Sequence, residues 1–149
     1  MIKYSDVYVG ILARGMCNPG EQFVAACAVN HQPWWSLRIP FFRHSYLLVA
    51  TSERLIALDH RKGLIFDRLD RADGYAWGDV SCKLGGLIAK KVIVKDRANR
   101  TLVKGKVSGF FGPIKNSGVG ARTLVQTWEQ RARLAAAPMP ASLPHYATA

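Results

Sequence analysis

Two groups of side chains in this sequence suit binding chemistry, and neither is catalytic in type. The first is the segment Gln32-Pro33-Trp34-Trp35-Ser36-Leu37-Arg38-Ile39-Pro40-Phe41-Phe42-Arg43-His44. Trp34, Trp35, Phe41 and Phe42 supply four rings, and Arg38, Arg43 and His44 stand among them. Aromatic rings favour the membrane interface, and arginine neutralises lipid phosphates. Trp and Arg are also the usual energetic centres of protein interfaces. An exposed segment of this kind docks on a membrane surface or on a partner protein. The plainer alternative is that the rings fold back as core or cover a sheet edge.

The second group is electrostatic. From Lys83 to Arg122 the chain has ten basic residues against one acid, Asp96. Lys90, Lys91, Lys95, Arg97, Arg100, Lys104 and Lys106 fall on what read as adjacent strands and their turn. A patch of this kind attracts phosphates in a salt-dependent way. With exposed rings such as Phe110 and Phe111 beside it, single-stranded nucleic acid becomes a possible partner. No RNA-recognition, KH or helix-turn-helix signature accompanies it. The plainer alternative is a solvated sheet face.

Catalytic and metal-binding patterns are absent from the sequence. His31, His44, His60 and His145 have no metal-ligand spacing. Asp67, Asp70 and Asp73 recur every third residue, whereas a calcium loop needs acids at alternate positions, so they read as caps of turns. No Ser, Cys or His is spaced as a nucleophile with a base. The glycine-rich stretch Gly105 to Gly120 has no phosphate-loop motif and reads as a flexible joint. Cys17, Cys27 and Cys82 are odd in number and form no C-x-x-C pair, which points to reduced, mostly buried thiols in a cytoplasmic protein. The expectation is a protein that is not an enzyme and takes no cofactor and no metal.

The elements that must position these groups read as mainly β. The chain has 149 residues, the size of one domain, and its 49% hydrophobic content supports a real core. With 21 Lys plus Arg against 10 Asp plus Glu, the net charge is +11, which favours anionic partners. Apolar runs such as Phe23 to Val29 and Tyr46 to Ala50 are too short to span a bilayer, and no secretory pattern opens the chain.

A short helix is expected from Asp6 to Gly15, capped by Ser5, with Val7, Ile11 and Leu12 as its apolar stripe and Val9 beside it. Pro19-Gly20 breaks the chain. Strands are expected over Gln22 to Gln32, Ser45 to Thr51 and Arg54 to His60, the last two joined by a tight turn at Ser52-Glu53. Further strands are expected over Leu64 to Leu69 and Tyr75 to Lys83, with Asp70 to Gly74 as the turn between. Gly85-Gly86 predicts a two-residue hairpin answered by Leu87 to Lys95. Asp96 to Asn99 turns the chain into a strand from Arg100 to Lys106. A helix from Gly120 to Ala137 follows, with Leu124, Val125, Trp128 and Leu134 on its apolar side.

About seven short strands followed by one amphipathic helix is a recurrent way to close a β-barrel or sandwich. Three segments add detail. They are Gly20-Glu21 before the first strand, Leu48 to Leu58 with Thr51 and Arg54-Leu55 flanking a tight turn, and Tyr75-Ala76-Trp77-Gly78-Asp79-Val80. Together they resemble the PH-like superfamily, in its bacterial PH and GRAM-like branch. The resemblance spans roughly Gly20 to Arg133. It implies a PH-like seven-stranded barrel or sandwich capped by one C-terminal α-helix, here with a short N-terminal helix before the first strand. It also implies a binding or scaffolding role. The basic residues with which many such domains hold phosphoinositides are not matched, since the first strand ends in Asn30-His31-Gln32 and Arg38 and Arg43 are differently spaced.

The expected organisation is an N-terminal helix and linker over 1–19, a PH-like domain over 20–137 and a disordered Pro-rich tail over 138–149. The expected function is a non-catalytic module that docks on an anionic membrane surface or a partner protein, cytoplasmic or peripheral at the inner membrane face. The alternative is a basic nucleic-acid-binding protein or a structural subunit of a larger assembly.

Overall fold

A computed structural model of the chain describes residues 6–31, 44–61, 68–86, 90–107 and 117–136. Helix α1 (Asp6–Met16) precedes seven strands: β1 (Phe23–His31), β2 (His44–Thr51), β3 (Arg54–Arg61), β4 (Arg68–Ala76), β5 (Val80–Gly85), β6 (Lys91–Asp96) and β7 (Thr101–Val107). Helix α2 (Ser117–Ala136) ends the described chain. The strands form one antiparallel sheet in the order β4-β3-β2-β1-β7-β6-β5.

Alternation along the strands divides the side chains between two faces. One face carries Ala25, Cys27 and Val29 of β1, Leu48 and Ala50 of β2, and Leu55 and Ala57 of β3. These share a single buried cluster with Cys82 of β5, Val92 and Val94 of β6 and Val103 of β7. The two halves of the sheet therefore fold over a common interior. Ala121 and Leu124 of α2 complete that interior, with Val125 and Trp128 packed against it. The expected capping helix is thus present, with Leu124, Val125 and Trp128 on its packed side, whereas Leu134 of the expected stripe is 68% exposed.

The opposite face of β1 to β3 is also apolar. Ala28, Leu47, Val49, Ile56 and Leu58 lie there, under Val9 and Ala13 of α1 with Leu12 and Met16 beside them. This explains why Leu47 to Ala50 of β2 and Leu55 to Leu58 of β3 are apolar at consecutive rather than alternate positions. The buried stripe of α1 differs from the expected one, because Ile11 is 65% exposed and Ala13 takes its place.

Strand β1 pairs with β2 from Phe23 to His31 but meets β7 only at Val29–Val107 and Asn30–Lys106. Its remaining edge is covered by α2 rather than by a strand, which removes an open pairing edge. The buried Ala28 N–H donates to Ser117 Oγ at 3.1 Å. Gly120 lies so close that a Cβ there would stand 1.9 Å from the Ala26 carbonyl oxygen.

Several boundaries differ from the sequence expectations. Asp70 to Gly74 is not a turn but the body of β4, and Asp70 and Asp73 are strand residues rather than turn caps. The expected strand from Tyr75 to Lys83 is broken by a 3-10 turn, Trp77–Asp79, which carries the chain from β4 at one end of the sheet order to β5 at the other. Gly85 pairs with Lys91, so residues 86–90 form the connection and Gly85-Gly86 is not a two-residue hairpin. Gly105 and Gly120 belong to β7 and α2 rather than to a joint, and α2 begins three residues earlier than expected. The expected strand residues 64–67 and 87–89, the Ser5 cap, Phe110 and Phe111, and the tail over 138–149 lie outside the described residues.

Candidate functional site

A buried polar knot fixes the frame. Glu21, just before β1, has its side chain wholly inside. Its Oε1 accepts from Arg54 Nε at 3.1 Å and from the Thr51 hydroxyl. Its Oε2 accepts from Arg54 Nη2 at 3.1 Å and from the Asn18 backbone N–H at 2.7 Å. Arg54 Nη2 also donates to the Met16 carbonyl at 3.0 Å, tying the end of α1 to the β2–β3 turn. Trp77 Nε1 donates to the Thr51 carbonyl at 3.0 Å and brings the 3-10 turn to the same place. Burial alone would raise the Glu21 pKa. The hydrogen bonds from Arg54, Thr51 and Asn18 outweigh it and bring the carboxyl down to about 2. The three segments that carry the family resemblance therefore converge on one structural cluster. Arg54 Nε and Nη2, the Thr51 hydroxyl and Trp77 Nε1 are all engaged within the protein, as befits a structural frame.

The binding groups lie elsewhere. Since Cys82, Val92, Val94 and Val103 point inward, their alternates point outward. Lys83 of β5, Lys91, Ile93 and Lys95 of β6, and Lys104 and Lys106 of β7 thus share the outer face of β5 to β7. The register sets their arrangement. Ile93 is opposed by Lys83 on one side and by Lys104 on the other, and Lys91 stands directly opposite Lys106. Lys83, Lys91, Lys104 and Lys106 are exposed, and Lys95 is half-buried with Nζ donating to Asn99 Oδ1 at 2.9 Å.

The arginines of the region behave differently. Arg97 pairs with Asp79 at 2.8 Å and donates from Nε to the Gly78 carbonyl. Arg100 pairs with Asp96 at 2.7 Å. The Arg100 backbone N–H and its guanidinium hold the Asp96 carboxyl below the usual range. Asn99, with φ of 62°, makes the β6–β7 turn that sets up this pair. Among the described residues, the ion pairs are made by Arg54, Arg71, Arg97 and Arg100, and the exposed lysines of β5 to β7 make none.

Of the expected patch, the structure brings Lys91, Lys95, Lys104 and Lys106 onto one face. Arg97 and Arg100 lie in the β6–β7 turn, each held by an acid. Lys90 lies half-buried just before β6, its carbonyl accepting from the Val107 N–H at 2.8 Å. Lys83 and Ile93 were not among the candidate residues. The alternation of Cys82-Lys83-Leu84 and Val92-Ile93-Val94 is the signal that places them.

Trp34, Trp35, Arg38, Phe41, Phe42 and Arg43 lie outside the described residues. The described ends of their segment are His31 and His44, which pair with each other. His44 opens β2 and also pairs with Arg61. The described part of β1 ends one residue beyond the Asn30–Lys106 pair. No helix among the described residues is long and apolar enough to cross a membrane.

No family model matches the chain. No curated protein matches it in sequence. Among solved structures it is similar to the hSac2 domain from human phosphoinositide phosphatase Sac2, with a TM-score of 0.52 at 10% identity over 89% of this chain and 83% of that one. That domain has a PH-like fold, and the seven antiparallel strands and C-terminal helix described above are arranged similarly, so the fold of this chain is PH-like.

Proposed function

We propose that the chain is a non-catalytic binding module that docks on an anionic membrane surface. The observation that carries this reading is the outer face of β5 to β7, where exposed lysines make no ion pair among the described residues. The corresponding face of β1 to β3 is apolar and covered by α1. On this reading the aromatic-basic segment from Trp34 to His44, which joins β1 to β2 in the chain, adds apolar anchors. Long-range attraction by the lysines and shallow insertion of the rings then act together. On this reading the module works peripherally at the cytoplasmic membrane face. The bacterial PH and GRAM-like branch is the part of the PH-like superfamily that its three motif segments favour.

Co-sedimentation with vesicles of neutral and of anionic phospholipid, at low and at high salt, tests the reading. The expected result is binding to anionic vesicles only, weakened by salt and by Trp34→Ala. Lysine contacts are strongly screened at 1 M salt, where the Debye length is about 3 Å. No binding to anionic vesicles at low salt removes the lipid reading. Capture of a partner protein becomes the next experiment.

A further inference from the structure

We propose that the lysine face of β5 to β7 lies flat against the bilayer and reads its density of negative charge, without selecting one headgroup. This inference rests on the membrane reading above and adds the docking face and the lipid chemistry to it.

Four features of the face lead to this assignment. Its charged residues are all lysines, and the neighbouring arginines are held by Asp79 and Asp96. Lysine is a hydrated point charge on a flexible stem, whereas selective grip on a multiply phosphorylated headgroup favours the planar fork of arginine. The lysines are also spread over a surface and do not converge. Lys104 and Lys106 are about 7 Å apart along β7, Lys91 and Lys95 about 13 Å apart along β6, and Lys83 and Lys104 flank Ile93 from strands about 10 Å apart.

Among the described residues the face presents an aliphatic residue, Ile93, at its centre and no aromatic ring. Bases find no platform among these residues on which to stack, which favours lipid over single-stranded nucleic acid. Lastly, Lys91 and Lys106 stand directly opposite each other. Like charges at such a pair destabilise a sheet. A layer of lipid phosphates relieves that repulsion across the whole face at once.

The test measures partitioning of the full chain onto two vesicle types matched in total surface charge. One carries monovalent anionic phospholipid, and the other carries a sparser phosphoinositide in neutral lipid. The wild-type protein is expected to partition onto both alike. The double variant Lys83→Gln/Lys104→Gln is expected to lose binding to both by roughly thirtyfold, at about fivefold per lysine. Lys106→Gln is expected to bind more weakly while raising Tm by roughly 1–3 °C, because it removes the like-charge pair. Weaker binding by a more stable protein cannot come from unfolding.

A tenfold or greater preference for the phosphoinositide vesicles overturns charge-density reading. So does undiminished binding by the double variant, while the wild type's own binding leaves the membrane function standing. Tighter binding to a single-stranded oligonucleotide than to either vesicle overturns the lipid assignment of the face. Failure of the wild type on both vesicle types overturns the membrane function itself, and this inference with it.

Discussion

Glu21→Gln is the most informative change in the frame, because one carboxylate ties together α1, the β2–β3 turn and the start of β1. The Glu21 carboxyl falls from an ordinary 4.5 to about 2 in the folded chain. By linkage that gap corresponds to roughly 3 kcal/mol of stability at neutral pH. Glutamine keeps the size and part of the hydrogen bonding but gives Arg54 no counter-charge. The Arg54 side chain is 30% exposed, so water recovers part of the loss, and a cost of about 2–3 kcal/mol is expected. The direction with pH follows from the lowered pKa. The unfolded chain takes up the proton first, so the contribution is complete above about pH 5 and is lost as pH falls from 4.5 towards 2. Urea unfolding from pH 7 down to 2.5 measures both effects. Wild type and variant should differ by 2–3 kcal/mol at pH 7 and converge in acid. Parallel curves across the range, or equal stability at pH 7, would refute the assignment of a charged, tightly bonded Glu21.

Three further outcomes follow from the packing. Trp77→Phe deletes the donor to the Thr51 carbonyl and should cost about 1–3 kcal/mol in thermal or urea unfolding while leaving vesicle binding intact. Gly120→Ala places a methyl against the Ala26 carbonyl, so α2 must move off β1, and a loss of about 1–3 kcal/mol is expected. Gly118→Ala meets nothing within 4 Å and should be neutral or stabilising by up to about 1 kcal/mol through helix propensity; equal effects at the two glycines would contradict the described contact. Burial pushes the thiols of Cys27 and Cys82 up to about 12, so at pH 8 a thiol reagent should label the half-buried Cys17 before either of them, and both should react on unfolding.

The order and number of strands were legible in the sequence wherever burial and strand period agreed. The short apolar run Leu55 to Leu58 puts Leu55 and Ala57 on one buried face and Ile56 and Leu58 on the other, and Arg100 to Lys106 alternates around Val103. The resemblance segments were legible for a related reason, since Glu21, Thr51, Arg54 and Trp77 make one buried network. Strand β4 was not legible, because Arg-Leu-Asp-Arg-Ala-Asp-Gly-Tyr-Ala looks like a turn sequence. Standing at the end of the sheet order, it pairs with β3 on one side and is exposed at Arg71, Ala72, Gly74 and Ala76, so local propensity gives way to its pairing partner. The close approach of Gly120 to Ala26 is a long-range fact with no local signal. The basic patch was legible as a run of charge. Only the register separates the unpaired lysines of the strand faces from the arginines committed to acids in the turn.

The central claim is that the Trp34 to His44 segment and the lysine face meet the same bilayer. Trp77 and Trp128 each donate Nε1 to a backbone carbonyl inside the fold, at 3.0 and 2.7 Å, so lipid-dependent emission reports on Trp34 and Trp35. Tryptophan fluorescence with brominated acyl chains in anionic vesicles tests the claim most directly. The account predicts a blue shift and quenching on vesicle addition, abolished by 1 M salt and lost in Trp34→Phe/Trp35→Phe. Vesicle-bound protein whose emission is neither shifted nor quenched would contradict it.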